Sequence, residues 1–160
     1  MNLPSNTLLT TLGLWFASAI VTAFEPALGI WCSGFGALLL LWAAADWLLA
    51  RAQDLPAAQR IVANTLAVGT WSHVELRLYW QGRVPSWFAA FDHHPVSFRQ
   101  EGLPASVSTH GKNSHALRYR VQALARGDHH FGRIQLRIRS PWHAWLRQVS
   151  VGEEMLVRVF

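Results

Sequence analysis

The 160-residue sequence predicts a two-helix transmembrane hairpin followed by an all-β antiparallel sandwich. Three observations carry this expectation. Residues 7–50 are almost continuously apolar and are broken only at Phe24-Glu25-Pro26. All fourteen Lys and Arg residues lie at Arg51 or beyond. From about residue 59 the apolar residues recur with period two, in short runs punctuated by Gly, Pro and Asn.

Thr7 to Phe24 is uncharged. A helix rising about 1.5 Å per residue needs roughly 17–25 residues to cross the hydrocarbon core, so this segment is just long enough. Ala27 to Ala50 is longer and carries the run Leu38-Leu39-Leu40-Leu41. Trp31 near its start and Trp42 and Trp47 near its end fit the two aromatic belts of a bilayer. Asp46, about a turn before Arg51, is expected to sit at the interface and reach the headgroups. The short connection makes the helices antiparallel neighbours. Small residues at Gly13, Ala17, Ala19 and Ala23, and at Gly29, Ser33 and Ala37, are expected to let the backbones approach.

A secretory signal peptide is the competing reading, because Ala17-Ser18-Ala19 resembles a cleavage site. Against it, Met1 to Asn6 holds no Lys or Arg and a second apolar segment follows at once. The turn between the helices offers only Glu25, whereas Arg51 and Arg60 follow the second helix. The positive-inside rule therefore places both termini in the cytoplasm. The expected division is a tail at 1–6, the hairpin at 7–50, a juxtamembrane linker at 51–58 and the sandwich at 59–160. About 110 residues give room for one small domain.

Of the nine acids, Glu25 and Asp46 lie in the hairpin, which leaves seven against fourteen bases and a balance of about +7 beyond it. Such a charge suits anionic lipid or an acidic protein partner. Cys32 is the only cysteine, so an intrachain disulfide is excluded.

The strands read in order. Val74, Leu76, Leu78 and Trp80 alternate with His73, Glu75, Arg77 and Tyr79, the pattern of a half-buried strand. Gln81-Gly82-Arg83 and Pro85 break the chain before a short strand from Trp87 to Phe91. Gly102, Pro104, Gly111 and Asn113 punctuate residues 96–114, where one or two short edge strands are expected. Leu117, Tyr119 and Val121 alternate with Arg118, Arg120 and Gln122. Ile134, Leu136 and Ile138 face one way, and Arg133, Gln135, Arg137 and Arg139 the other, until Pro141 ends the strand. Two more short strands follow near Trp145 to Val149 and Met155 to Phe160. Seven or so such strands indicate an Ig-like sandwich.

Taken together, the hairpin, Tyr119, Arg126-Gly127, Phe131-Gly132, the basic strand into Ser140-Pro141-Trp142 and the closing Met155 to Phe160 strand resemble the N-terminal half of the bacterial domain-of-unknown-function family 58. Ser140 stands where that family usually has an acid, and Trp142-His143-Ala144 replaces its Phe-Gly-Leu. The family's von Willebrand A-like domain would begin about where this sequence ends. The resemblance implies a multi-pass protein of the bacterial inner membrane and a MoxR-type AAA ATPase as partner, with assembly or chaperone-like work on the cytoplasmic face.

Seven of the eight histidines fall between His93 and His143. A closed zinc site needs about four converging ligands, and adjacent strand residues such as His93-His94 and His129-His130 point to opposite faces. Surface histidines are the simpler reading, with no metal or other cofactor. The sequence contains no nucleophile elbow, phosphate-cradling glycine loop or paired carboxylates, so no catalytic residue is assigned. Arg126-Gly127-Asp128 reads as a turn with Gly127 at positive φ. The arginine rows are the candidate binding face. If their strands share a sheet, Arg118, Arg120, Arg133, Arg137 and Arg139 present five guanidinium groups to lipid or an acidic protein. Nucleic acid is not expected, because aromatics interleaved with the bases on the same face, as stacking platforms require, are absent. The sequence thus points to a membrane-anchored, non-enzymatic interaction module docking cytoplasmic protein partners. The alternatives are an extracytoplasmic envelope-binding domain and a histidine-based metal-dependent hydrolase.

Overall fold

Ser5 opens the first helix in a computed structural model that describes residues 2–160. Its hydroxyl accepts the Leu8 N–H at 3.2 Å, satisfying one of the free donors of the first turn. Helix α1 runs Asn6–Thr22, a single 3-10 turn runs Pro26–Leu28, and helix α2 runs Gly29–Arg51. Pro26 suits that start, because its fixed φ fits the first helical position and its missing N–H would be unpaired there anyway. Their 17 and 23 residues correspond to lengths of about 26 and 35 Å. Pro26–Arg51 is long and apolar enough to cross a membrane, whereas Asn6–Thr22 is apolar but shorter.

The helices meet where Trp15 Nε1 donates to the Cys32 carbonyl at 3.0 Å. Gly36 lies against the same indole, and a Cβ there would fall 2.7 Å from Nε1. This corrects the expected interface. Gly13 and Gly29 face open space, with nothing within 4 Å of an added Cβ, while Gly36 makes the close approach.

The chain forms two compact units, the first running through Gln53 and including Arg139–Arg147. In this unit strand β1, Asn2–Pro4, pairs antiparallel with the start of β11, Trp145–Val151, so the expected tail is partly a strand. Met1 lies outside the described residues. Asp46 is fully buried, which corrects its expected place among the headgroups. One oxygen of its carboxylate accepts the Trp142 N–H at 2.8 Å, and the other accepts the Ala144 N–H at 2.8 Å and the Ser140 hydroxyl. A turn rich in free donors, rather than the bilayer surface, compensates the charge.

The second unit holds residues 54–138 and 148–160. Its strands are β2 (Ala57–Ile61), β3 (Thr65–Leu66), β4 (Trp71–Tyr79), β5 (Trp87–Asp92), β6 (Phe98–Glu101), β7 (Ala105–Ser108), β8 (Ser114–Ala123), β9 (Gly127–Phe131), β10 (Ile134–Arg139) and β12 (Met155–Val159), joined by the end of β11. One sheet has the order β2-β4-β8-β6, and the other runs β11-β10-β5-β7. A third, β3-β12-β9, contains the one parallel pair described, β3 with β12; every other pairing described is antiparallel. The fold is an all-β Ig-like sandwich.

The alternation read in the sequence is the alternation that builds the core. Val74, Leu76, Leu78 and Trp80 of the β4 stretch meet Phe88 and Ala90 of β5 and Ile134, Leu136 and Ile138 of β10 in one buried cluster. The side chains between them point outward, as period two requires. Two boundaries differ from expectation. β2 begins at Ala57, inside the expected linker. β9 was not expected, because Asp128, His129 and His130 give it no apolar alternation; pairing with β12 makes it a strand.

Candidate functional site

The sheet order divides the expected arginine face. Arg118 and Arg120 lie on β8, in the sheet with β4, whereas Arg137 and Arg139 lie on β10, in the sheet with β5. Arg133 sits exposed in the turn before β10. The five guanidinium groups therefore do not share one sheet surface, and the condition for a single patch is not met.

The β8 pair is also neutralised. Arg118 Nε donates to Glu75 at 2.9 Å, and Arg77 Nε donates to the other oxygen of the same carboxylate at 2.6 Å. These donors, Arg77 foremost, hold the Glu75 carboxyl below the usual range. Arg120 donates to Glu101 at 2.6 Å and lies over the Trp71 ring at 5.5 Å. Arg158 forks onto Asp128 at 2.7 and 3.2 Å and lowers that carboxyl in turn. Arg137 differs. It is exposed on β10 and makes no hydrogen bond or ion pair among the described residues.

A second group of charges is closed to solvent. The side chains of Arg60 on β2 and Asp92 on β5 are 3% and 0% exposed. Arg60 Nε donates to Asp92 Oδ2 at 2.8 Å, while Nη2 donates to Asp92 Oδ1 and, at 2.5 Å, to the Gly132 carbonyl. Tyr119 on β8 donates its hydroxyl to Asp92 Oδ2. Burial first, and the neighbouring Asp92 charge second, push the Tyr119 hydroxyl well above its ordinary range. Every strong donor here has an acceptor, so the group joins the two sheets and offers no free acid or base. Arg60 consequently does not add a free charge after the second helix. Arg51 does lie exposed there, 3.9 Å over the Trp47 ring. A cavity of about 370 Å³ opens beside Arg60, lined also by Ala58, Gln59, Glu153, Glu154 and Met155.

Sequence reasoning missed this group, although its signal was present. Phe88 and Ala90 face inward, and continuing that alternation places Asp92 inward too. The residues on which the resemblance to family 58 rests fall in three places. Tyr119 and Gly132 belong to the buried group, and Phe131 packs in the core with Arg60 5.1 Å over its ring. Arg126 and Gly127, the latter at φ +124°, form the turn into β9. Pro141 and Trp142 lie in the turn capped by Asp46.

The histidines are dispersed. His129 bonds Ser97 and the Ala125 carbonyl at 3.0 Å each, and His115 contacts the Lys112 carbonyl at 2.9 Å. No group of three or more His, Cys, Asp or Glu suited to a metal ion occurs among the described residues.

No family model matches the chain, and no curated protein matches it. Among solved structures, a cohesin module from a Clostridium perfringens family 33 glycoside hydrolase is similar, with 9% identity and a TM-score of 0.46 over 67% of this chain and 98% of that one. The CARDB domain of a Pyrococcus furiosus protein, in complex with di-metal ions, is similar with 9% identity and a TM-score of 0.38, over 67% of this chain and 90% of that one.

Proposed function

We propose that the protein is a membrane-anchored, non-enzymatic interaction module whose sandwich docks protein partners. The observation that carries the reading is the outer surface of the helical hairpin. Leu14, Ile30 and Trp31 are 70%, 77% and 76% exposed, and Phe16, Ile20, Leu38, Leu40 and Leu41 are exposed with them. Soluble monomers rarely leave so large an apolar surface in water, and a bilayer removes it. Both helices then insert, as a multi-pass anchor in a bacterial inner membrane. The sandwich saturates its own core and presents a surface rich in arginine, the residue type most adept at recognising carboxylates. In line with the resemblance to family 58, the partner class is a MoxR-type AAA ATPase at the cytoplasmic face.

The test uses the whole chain in a bacterial host. The protein should stay in the membrane fraction through alkaline carbonate extraction, and a reporter active only in the cytoplasm should work when fused after Phe160. Photocrosslinkers on the outward strands should capture a protein partner. Release by carbonate would refute the anchor. The extracytoplasmic envelope-binding reading is kept by one observation: Arg60 is buried in an ion pair, which leaves Arg51 as the free charge close to the second helix. Activity of a periplasm-only reporter at Phe160 would select it.

A further inference from the structure

We propose that the outward face of β5 and β10, centred on Arg137 between Trp87 and Phe91, docks an extended acidic segment of a partner protein. The inference rests on the docking-module reading and names where, and by what chemistry, the partner is held.

Register fixes the layout. Arg137 stands opposite Ala89, and Ala89 stands opposite Ser106 of β7. Gln135 stands opposite Phe91, and Trp87 opposite Ser108. Because Phe88, Ala90 and Asp92 are buried, Trp87, Ala89 and Phe91 form the outer row of β5 and are half-buried there. The guanidinium of Arg137 therefore stands over a low floor of Ala89 and Ser106, with a large aromatic on either side.

Charge selects the occupant. The arginines of β8 already hold Glu75 and Glu101, while Arg137 has no carboxylate among the described residues. A guanidinium forks onto a carboxylate through two parallel N–H donors. Trp and Arg dominate the energetics of protein interfaces, and aromatic residues are enriched in them. Trp87 and Phe91, four residues apart on one strand, are separated by about 13 Å. That span matches about four residues of an extended peptide and exceeds what a single lipid headgroup covers. The occupant is thus an acidic, aromatic-bearing or aliphatic strand of a protein rather than anionic lipid.

The whole chain, reconstituted in phosphatidylcholine nanodiscs, is titrated with a glutamate–tyrosine copolymer and, separately, with phosphatidylglycerol vesicles. Arg137→Glu should weaken copolymer binding by about tenfold or more, while Arg118→Glu should stay within about twofold of the parent. Should Arg137→Glu fail to fold, Arg137→Gln is read in its place, with a loss of about fivefold expected. Equal losses for the two sites would overturn the proposal, as would a parent that binds no copolymer. A loss confined to the vesicles would also overturn it, by making lipid the occupant. None of these failures touches the anchor, which is read independently by carbonate extraction and the reporter.

Discussion

Asp46 accepts the backbone N–H of Ala144 at 2.8 Å, across 98 residues of sequence. The same carboxylate takes the Ser140 hydroxyl and the Trp142 N–H, so three donors of one turn depend on a single side chain. Asp46→Ala would leave them without an acceptor in a buried site, at about 1–3 kcal/mol for each group. The expected result is loss of amide protection at Trp142 and Ala144 in hydrogen exchange, with an overall destabilisation of at least about 3 kcal/mol. Ser140→Ala removes the donor to Asp46 and also the acceptor of the Trp145 N–H at 2.9 Å, and should cost about 1–3 kcal/mol. Unchanged exchange in Asp46→Ala would show that the turn holds itself.

The buried Arg60, Asp92 and Tyr119 group predicts an alkaline limit for the sandwich. The folded Tyr119 hydroxyl is raised above its unfolded value near 10, so below about pH 10 its contribution is fully present. As pH rises further, the unfolded chain releases that proton and the folded one retains it, so stability falls. Urea unfolding of the parent should weaken between about pH 9 and pH 11. Tyr119→Phe should be less stable at neutral pH but flatter over that range. Asp92→Asn should cost about 3–5 kcal/mol, since it strands a buried guanidinium. A parallel pH slope in Tyr119→Phe would assign the alkaline loss elsewhere.

Legibility followed the range over which a pattern acts. The alternation of Ile134, Leu136 and Ile138 is local, and it identified both strand and core face. The Asp46 contacts join residues 94 to 98 positions apart, and Arg60 reaches Asp92 across 32. No local periodicity carries either. Composition places an acid near the end of an apolar segment, but whether headgroups or a distant turn compensates it is a tertiary fact. β9 was invisible for the opposite reason, since Asp128, His129 and His130 give it no apolar alternation and only the partner strand defines it. Arg118, Arg120, Arg133 and Arg137 are exposed and Arg139 is half-buried, but the sheets to which β8 and β10 belong depend on long-range pairing.

The acid side of the titration separates the two arginine groups. Glu75 and Asp128 are lowered by Arg77 with Arg118 and by Arg158, respectively. A lowered carboxyl adds stability above its unfolded value near 4, and that stability is lost as pH falls through the folded value. Asp128 is exposed and Glu75, though partly covered, pairs with exposed arginines, so salt should act on both sites. Carboxyl NMR titrations should show both values moving up towards the ordinary range at high ionic strength. In Arg77→Gln the Glu75 value should rise more than in Arg118→Gln, because Arg77 is the larger cause. The reverse order would mean that β8 supplies the dominant partner.

The hairpin offers the sharpest steric test. A methyl at Gly36 would fall 2.7 Å from Trp15 Nε1 and 2.9 Å from Cε2 and Cζ2, closer than any relaxed contact, so the indole must swing away. That motion removes the bond from Nε1 to the Cys32 carbonyl. Helix-to-helix hydrogen bonds within a bilayer are worth about 0.6 kcal/mol on average, and the lost ring packing adds to that, so Gly36→Ala should loosen the helix pair by about 1–2 kcal/mol. Gly13→Ala and Gly29→Ala meet nothing within 4 Å and should be neutral or slightly stabilising, because Ala is the better helix former. Trp15→Phe removes the same bond while leaving Gly36 room, and it isolates the hydrogen-bond part of the effect. The indole N–H resonance of Trp15 in micelles reports the bond directly, and energy transfer between labels at the two ends of the hairpin reports its opening. If Gly36→Ala leaves that resonance unmoved while Gly13→Ala shifts it, the helices pack on the other face of α1, and the small residues expected from the sequence form the true seam.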